Sequence, residues 1–131
     1  MANKRKAVEH YVTRLNLVWL NSKEPLPLAV RRGRLVSADR DILPSDIPIL
    51  KERYEAVAAD WESGAIAWVA TRNQMPCLIL RGVTDLVDEG GGETYGNYGL
   101  LQQRTDQVMR RILDSLAGWI LQSSHRASEA A

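Results

Sequence analysis

Asp60, Glu62 and Asp85 are the residues of this 131-residue chain best placed for chemistry. Asp60 and Glu62 stand where an apolar stretch gives way to an alanine-rich segment, and Asp85 lies just past a second apolar stretch. Two hydroxyl residues, Ser63 and Thr84, neighbour them. Carboxylates so placed can transfer a proton or hold the hydroxyls of a ligand, and in open α/β sheets ligands bind beyond the carboxyl ends of parallel strands. A plainer reading stands beside this one. Asp60 and Glu62 can cap a helix start, where acidic groups meet the positive end of the dipole, and Asp85 can cap the turn after its strand.

The elements that must position these groups fall within residues 56–88. Pro76 closes one segment, and Cys77, Leu78, Ile79 and Leu80 then form a continuous apolar run, which predicts a central strand covered on both faces. Between Trp61 and Thr71 the spacing of Ala65, Trp68 and Val69 predicts a helix, with Gly64 and Ala67 small enough to let it lie close on a sheet. Strand, helix and strand then make a right-handed parallel crossover. Upstream, residues 35–38 predict a short strand, followed by a turn over 39–44 and a helix over 48–54 capped by Ser45 or Asp46. Downstream, EGGGETYGNYG (residues 89–99) lacks the lysine of a phosphate-binding loop and reads as a mobile lid or linker. A final helix over 101–121 sets Val108, Ile112, Leu116, Trp119 and Ile120 on one packing face. At the start, Val8, Tyr11, Val12 and Leu15 make one face of an amphipathic helix over 4–15, and at the end 122–131 reads as a disordered tail. The whole of 1–131 is expected to be a single domain.

Composition narrows the partners. Seventeen basic and sixteen acidic residues give a formal charge of +1, which offers no electrostatic case for nucleic acid or an anionic membrane. No apolar run approaches the roughly 20 residues of a membrane span, and no apolar stretch follows the basic start as a secretory signal requires. The single cysteine, Cys77, forms no internal disulfide and is expected to be an inert core thiol, which makes the cytoplasm the expected compartment.

DWESGAIAWVA (60–70) followed by PCLILRGVTDLVD (76–88) resembles the DMEAAAIA and PFLVIRAISDxAD signatures of the nucleoside phosphorylase and nucleosidase superfamily, and is most similar to its 5'-methylthioadenosine/S-adenosylhomocysteine nucleosidases. GRLVSADRDI (33–42) resembles the family's G-x-[IV]-x-[ST]-G-D-x-[FI] strand and turn, matching at Gly33, Ser37 and Asp39, with Ala38 in place of a glycine. The resemblance implies a three-layer αβα fold with a mainly parallel sheet, of which this chain corresponds to the C-terminal half. It also implies purine nucleoside N-ribosyl cleavage without metal or cofactor. Breaking that bond builds positive charge on the sugar and negative charge on the departing base. By resemblance Asp85 is the general acid beside the purine and Glu62 accepts hydrogen bonds from the ribose diol. Trp61 replaces a methionine under the sugar, the backbone of Ile42 meets the base edge, and Asp41 replaces an aromatic residue that stacks on the purine. Asp60 is taken as structural. The family's water-activating glutamate, or in the phosphorylases its phosphate-holding glycines and arginines, belongs to the N-terminal half and has no counterpart here. The resemblance therefore implies an impaired isolated chain, completed by a missing half or by homo-oligomerisation. A non-catalytic nucleoside-binding or oligomerising remnant is one alternative, and a phosphate-dependent phosphorylase is another.

Overall fold

The computed structural model describes residues 15–20 and 24–124; most of the helix expected over 4–15 and of the tail expected over 122–131 lies outside the described residues. The elements run β1 (Arg34–Ser37), a 3₁₀ turn (Pro44–Asp46), α1 (Ile47–Glu52), β2 (Ala56–Asp60), α2 (Ser63–Arg72), β3 (Val87–Asp88), β4 (Gly91–Gly92) and α3 (Tyr98–Ser124). β1 and β2 pair in parallel, with Leu35 opposite Ala58, Val36 opposite Ala59 and Ser37 opposite Asp60. Parallel neighbours need a crossover, and here the 3₁₀ turn and α1 supply it. The result is a small parallel sheet with helices, an α/β arrangement whose strand ends carry Ser37 and Asp60 side by side.

The crossover expected through α2 to a strand over 77–80 does not form. Cys77, Leu78, Ile79 and Leu80 belong to no strand and make no ladder among the described residues, and all four are half-buried rather than central. An apolar run needs both a paired neighbour and two covering layers to become a central strand. β2 offers its ladder to β1 alone, and the segment lies instead against α3, where a Cβ on Gly82 would overlap the Val108 side chain. Cys77 is consequently a free, half-buried thiol and not the deeply buried one expected.

α2 packs by its smallest residues. Ser63 is 3% and Ala67 7% exposed, while Ala65, Trp68 and Val69, whose spacing predicted the helix, are exposed. The small residues allow the close approach expected of them: the Gly64 N–H donates to Ser37 Oγ at 2.8 Å, and a Cβ on Gly64 would press on the Ser37 side chain. Trp68 turns outward under the guanidinium of Arg72, 5.2 Å from the ring centre.

The end of α2 is a Schellman closure. The Met75 N–H donates to the Ala70 carbonyl at 2.9 Å and the Gln74 N–H to that of Thr71 at 3.1 Å. Gln74 adopts φ of 55°, the left-handed conformation usually given to glycine, and Pro76 then prevents the helix from resuming. A left-handed conformation costs an ordinary residue about 1–2 kcal/mol, against roughly 0.5–1 kcal/mol of extra backbone entropy for glycine. Gln74→Gly should therefore stabilise the fold by about 0.5 kcal/mol, measured by thermal unfolding; a lowered midpoint would show that the Gln74 side chain holds the turn.

α3 begins earlier and ends later than the pattern predicts, and its buried face is turned. Val108 and Ile112 face inward and Trp119 is buried as expected, but Leu116 and Ile120 are 45% and 55% exposed. Ser115 and Gln122 take their places in the interior. Ser115 is satisfied there and Gln122 in part: Trp119 Nε1 donates to Ser115 Oγ at 3.1 Å, Ser115 Oγ donates to the Ile112 carbonyl at 2.8 Å, and Gln122 Nε2 donates to the Pro25 carbonyl at 2.6 Å while its Oε1 is buried without a partner among the described residues. Polar groups bury when they find such partners.

Residues 89–99 are not a featureless linker. β3 and β4 pair there as a short antiparallel hairpin, Val87 opposite Gly92 and Asp88 opposite Gly91, and Thr94 is buried.

Candidate functional site

The site is assembled at the carboxyl ends of β1 and β2, and its base is Asp60. The Ser37 hydroxyl donates to Asp60 Oδ1 at 2.6 Å, the Ser63 N–H donates to the same oxygen at 3.1 Å, and the Ser63 hydroxyl donates to Oδ2. Arg81 closes the cluster, its Nε lying 2.8 Å from Asp60 Oδ2 and 2.9 Å from Ser63 Oγ. Burial pushes the Asp60 carboxyl up, but the Ser37 and Ser63 hydrogen bonds, joined by the Arg81 charge, outweigh it and hold the group below the ordinary aspartate value. Asp60 is thus the cap of α2 and the tie between two strands and the 77–81 segment. That matches the structural role expected of it.

Glu62 is left free to face outward. It occupies the N-cap position of α2, yet its side chain makes no capping hydrogen bond, so the capping role that spacing allowed falls to Asp60. The Glu62 carboxylate lies 3.6 Å from Arg81 Nη2 and is 61% exposed. Arg81 therefore orients the outer carboxylate with one nitrogen while anchoring the inner one with another. Trp61, between them in sequence, is 60% exposed.

Beyond β1 the turn is fixed from outside. Arg40 Nη1 lies 2.9 Å from Asp46 Oδ2, and the Leu43 N–H donates to that oxygen at 3.0 Å. The Arg40 hydrogen bond, with that from Leu43, holds the Asp46 carboxyl below its usual range. Inside this closed turn Asp41 is exposed and Ile42 half-buried.

Asp85 is half-buried and turned toward the hairpin, where its Oδ1 accepts the Thr94 N–H at 2.8 Å. The role of turn cap that spacing allowed is therefore realised, across nine residues. Arg81 and Thr84 line a cleft of about 110 Å³ with Leu80, Gly82, Val108 and Ile112. Ligand pockets for molecules of drug size occupy about 300–1,000 Å³, so this cleft holds no nucleoside by itself, and neither Glu62 nor Asp85 lines it.

Arg81, Gly92 and Thr94 escaped the sequence reading. Arg81 alone carried a signal there: a basic residue directly after an apolar run, in the same short stretch as two carboxylate positions. Nothing local announces Thr94.

The family model of the Phosphorylase superfamily matches residues 5–117. The chain belongs to the phosphorylase superfamily. It is also 28% identical over 95 residues to the 5'-methylthioadenosine/S-adenosylhomocysteine nucleosidase of Arabidopsis thaliana, an alignment covering 70% of this chain and 37% of that protein. The chain thus spans little more than a third of the length of this curated relative. No solved structure matches it. Among the described residues no helix is long and apolar enough to cross a membrane. Superfamily membership and an α/β arrangement, both expected from DWESGAIAWVA and PCLILRGVTDLVD, are in this way established together.

Proposed function

We propose that the chain contributes the base-and-ribose side of a purine nucleoside N-ribosyl cleavage site, with Asp85 as general acid and Glu62 as the anchor of the ribose diol. Support comes first from one observation: Arg81 joins Asp60 to Glu62, so that a rigid inner carboxylate presents an outward one at the strand ends. An outward carboxylate held at its root suits a pair of sugar hydroxyls. The name of the Arabidopsis relative favours a nucleosidase over a phosphorylase. On this reading Trp61 lies under the sugar and the turn bearing Asp41 and Ile42 meets the base. The chain then corresponds to the C-terminal half of a three-layer αβα fold and works in the cytoplasm.

The open face asks for a further wall. Met109, Leu113, Leu116 and Ile120 on α3 and Ile66 and Val69 on α2 are all more than 40% exposed, and apolar surface of this extent marks an interface. We assign the missing wall to a second copy of the chain or to an N-terminal half. The same openness favours one second reading, a nucleoside-binding module that never cleaves.

Chromatography of the protein incubated with 5'-methylthioadenosine, adenosine or inosine, with and without phosphate, separates the two. Free base that disappears in Asp85→Asn supports cleavage; binding without release supports the module. Glu62 is tested apart from catalysis. Glu62→Ala should weaken adenosine binding about tenfold or more while leaving adenine binding unchanged, since a hydrogen bond to a charged group is worth about 1.5–3 kcal/mol. Equal losses for adenosine and adenine in calorimetry would remove Glu62 from the sugar.

A further inference from the structure

We propose that the β3–β4 hairpin is a positioning device for Asp85, in which the Thr94 amide fixes one carboxylate oxygen, Gly92 leaves room for the other, and Arg104 holds both flanks. The proposal rests on the reading of Asp85 as the proton donor.

The geometry divides the two oxygens of Asp85. Oδ1 accepts the Thr94 N–H at 2.8 Å, from a residue only 8% exposed. A proton on Oδ1 meets a donor, so the proton available for transfer belongs on Oδ2. Oδ2 occupies the space that a side chain at position 92 takes: a Cβ built on Gly92 overlaps it. Among the three consecutive glycines, Gly90, Gly91 and Gly92, this requirement is particular to the last. Gly91 serves the turn instead, with φ of 101° and open space around its Cβ position. Gly92 has no such backbone demand, so what it supplies is space for the carboxylate.

The hairpin is itself anchored to α3. Arg104 Nη1 lies 2.7 Å from Glu93 Oε2 and donates to the Thr84 carbonyl at 3.4 Å. Thr84 immediately precedes Asp85, and Glu93 immediately precedes Thr94. One guanidinium therefore holds the chain on both sides of the Asp85–Thr94 hydrogen bond. The Glu93 N–H adds a backbone bond to the Leu86 carbonyl at 3.1 Å.

The test uses Gly92→Ala, which is sterically directed at Oδ2, and Arg104→Gln, which releases the flanks without touching the carboxylate. In the wild-type chain, the Thr94 amide resonance should be protected from exchange and should shift when Asp85 is protonated, a response that Asp85→Asn removes. Both variants should keep the far-ultraviolet circular dichroism of the wild type yet lose this coupled shift. They should also bind 5'-methylthioadenosine about tenfold more weakly. A Thr94 amide that still follows Asp85 in both variants overturns the proposal, as does unchanged binding in both when the wild type binds. Wild-type protein that binds no 5'-methylthioadenosine counts against the nucleoside reading alone, because the coupled shift is read without ligand and decides the hairpin's role by its loss or survival.

Discussion

Replacing Asp60 by alanine should destabilise the fold by about 3 kcal/mol, the largest effect expected from a single side chain here. Three hydrogen bonds and an ion pair end on this carboxylate, and its side chain is only 15% exposed. Truncation strands the Ser37 and Ser63 hydroxyl protons and the Ser63 N–H, and leaves Arg81 with the exposed Glu62 as its charge partner. Hydrogen bonds to charged groups are worth about 1.5–3 kcal/mol each, and a broken charge pair in a partly buried site costs several. For a chain of this size the loss lowers the thermal midpoint by roughly 10 °C. Asp60→Asn keeps the shape and one acceptor oxygen but loses the charge and turns the other oxygen into a donor, so it should fall between wild type and alanine.

The same network sets a pH dependence. The folded-state value of Asp60 is depressed, so its contribution is complete above the unfolded value of about 3.9 and is lost as pH falls through the lower folded value. The stability gap between wild type and Asp60→Asn should thus be constant near neutrality and narrow in acid. Denaturant curves that stay equally separated at low pH would show that the Asp60 charge contributes nothing.

How much of this was legible in the sequence depends on the range of the interactions. β1, β2, α2 and α3 announce themselves through local apolar runs and helical spacing, and Asp60 through its place before a helix. The failures are at long range. The run from Cys77 to Leu80 shows how apolar a segment is but not whether a neighbour pairs with it, and β2 is already paired with β1. On α3, Leu116 and Ile120 outrank Ser115 and Gln122 by hydropathy. Gln122 is nonetheless inside because the Pro25 carbonyl, 97 residues earlier, receives its amide. The glycine-rich loop reads as mobile from composition, while the Asp85–Thr94 and Arg104–Glu93 contacts that order it span nine and eleven residues. Of the carboxylates, resemblance singled out Glu62 and Asp85; Arg81, which links Glu62 to Asp60, stands at the arginine of the PFLVIRAISDxAD signature, yet only the folded chain shows what it joins.

These 131 residues by themselves should hydrolyse purine nucleosides very slowly, whatever the quality of the Asp85 and Glu62 positions. By the resemblance the water-activating glutamate belongs to an N-terminal half, and no residue of this chain is matched to it. General-base catalysis contributes about 10² to 10⁴ in rate, and groups that act together lose most of their effect when one is missing. The cleft beside Arg81, at about 110 Å³, adds a second obstacle because it is too small to enclose a nucleoside. On the proposed reading Asp41 adds a third, since a carboxylate cannot stack on a base. Turnover should therefore lie far below about 1 per second, the lower end of ordinary enzymatic rates. Release of free base at that rate or faster, absent in an Asp85→Asn control, would require an activating carboxylate within the chain or its partner copy. Asp39, Asp88 and Glu89 are then the first to replace. Asp88 already accepts the Gly90 N–H at 2.7 Å, which leaves exposed Asp39, two residues past β1, the first of the three to replace.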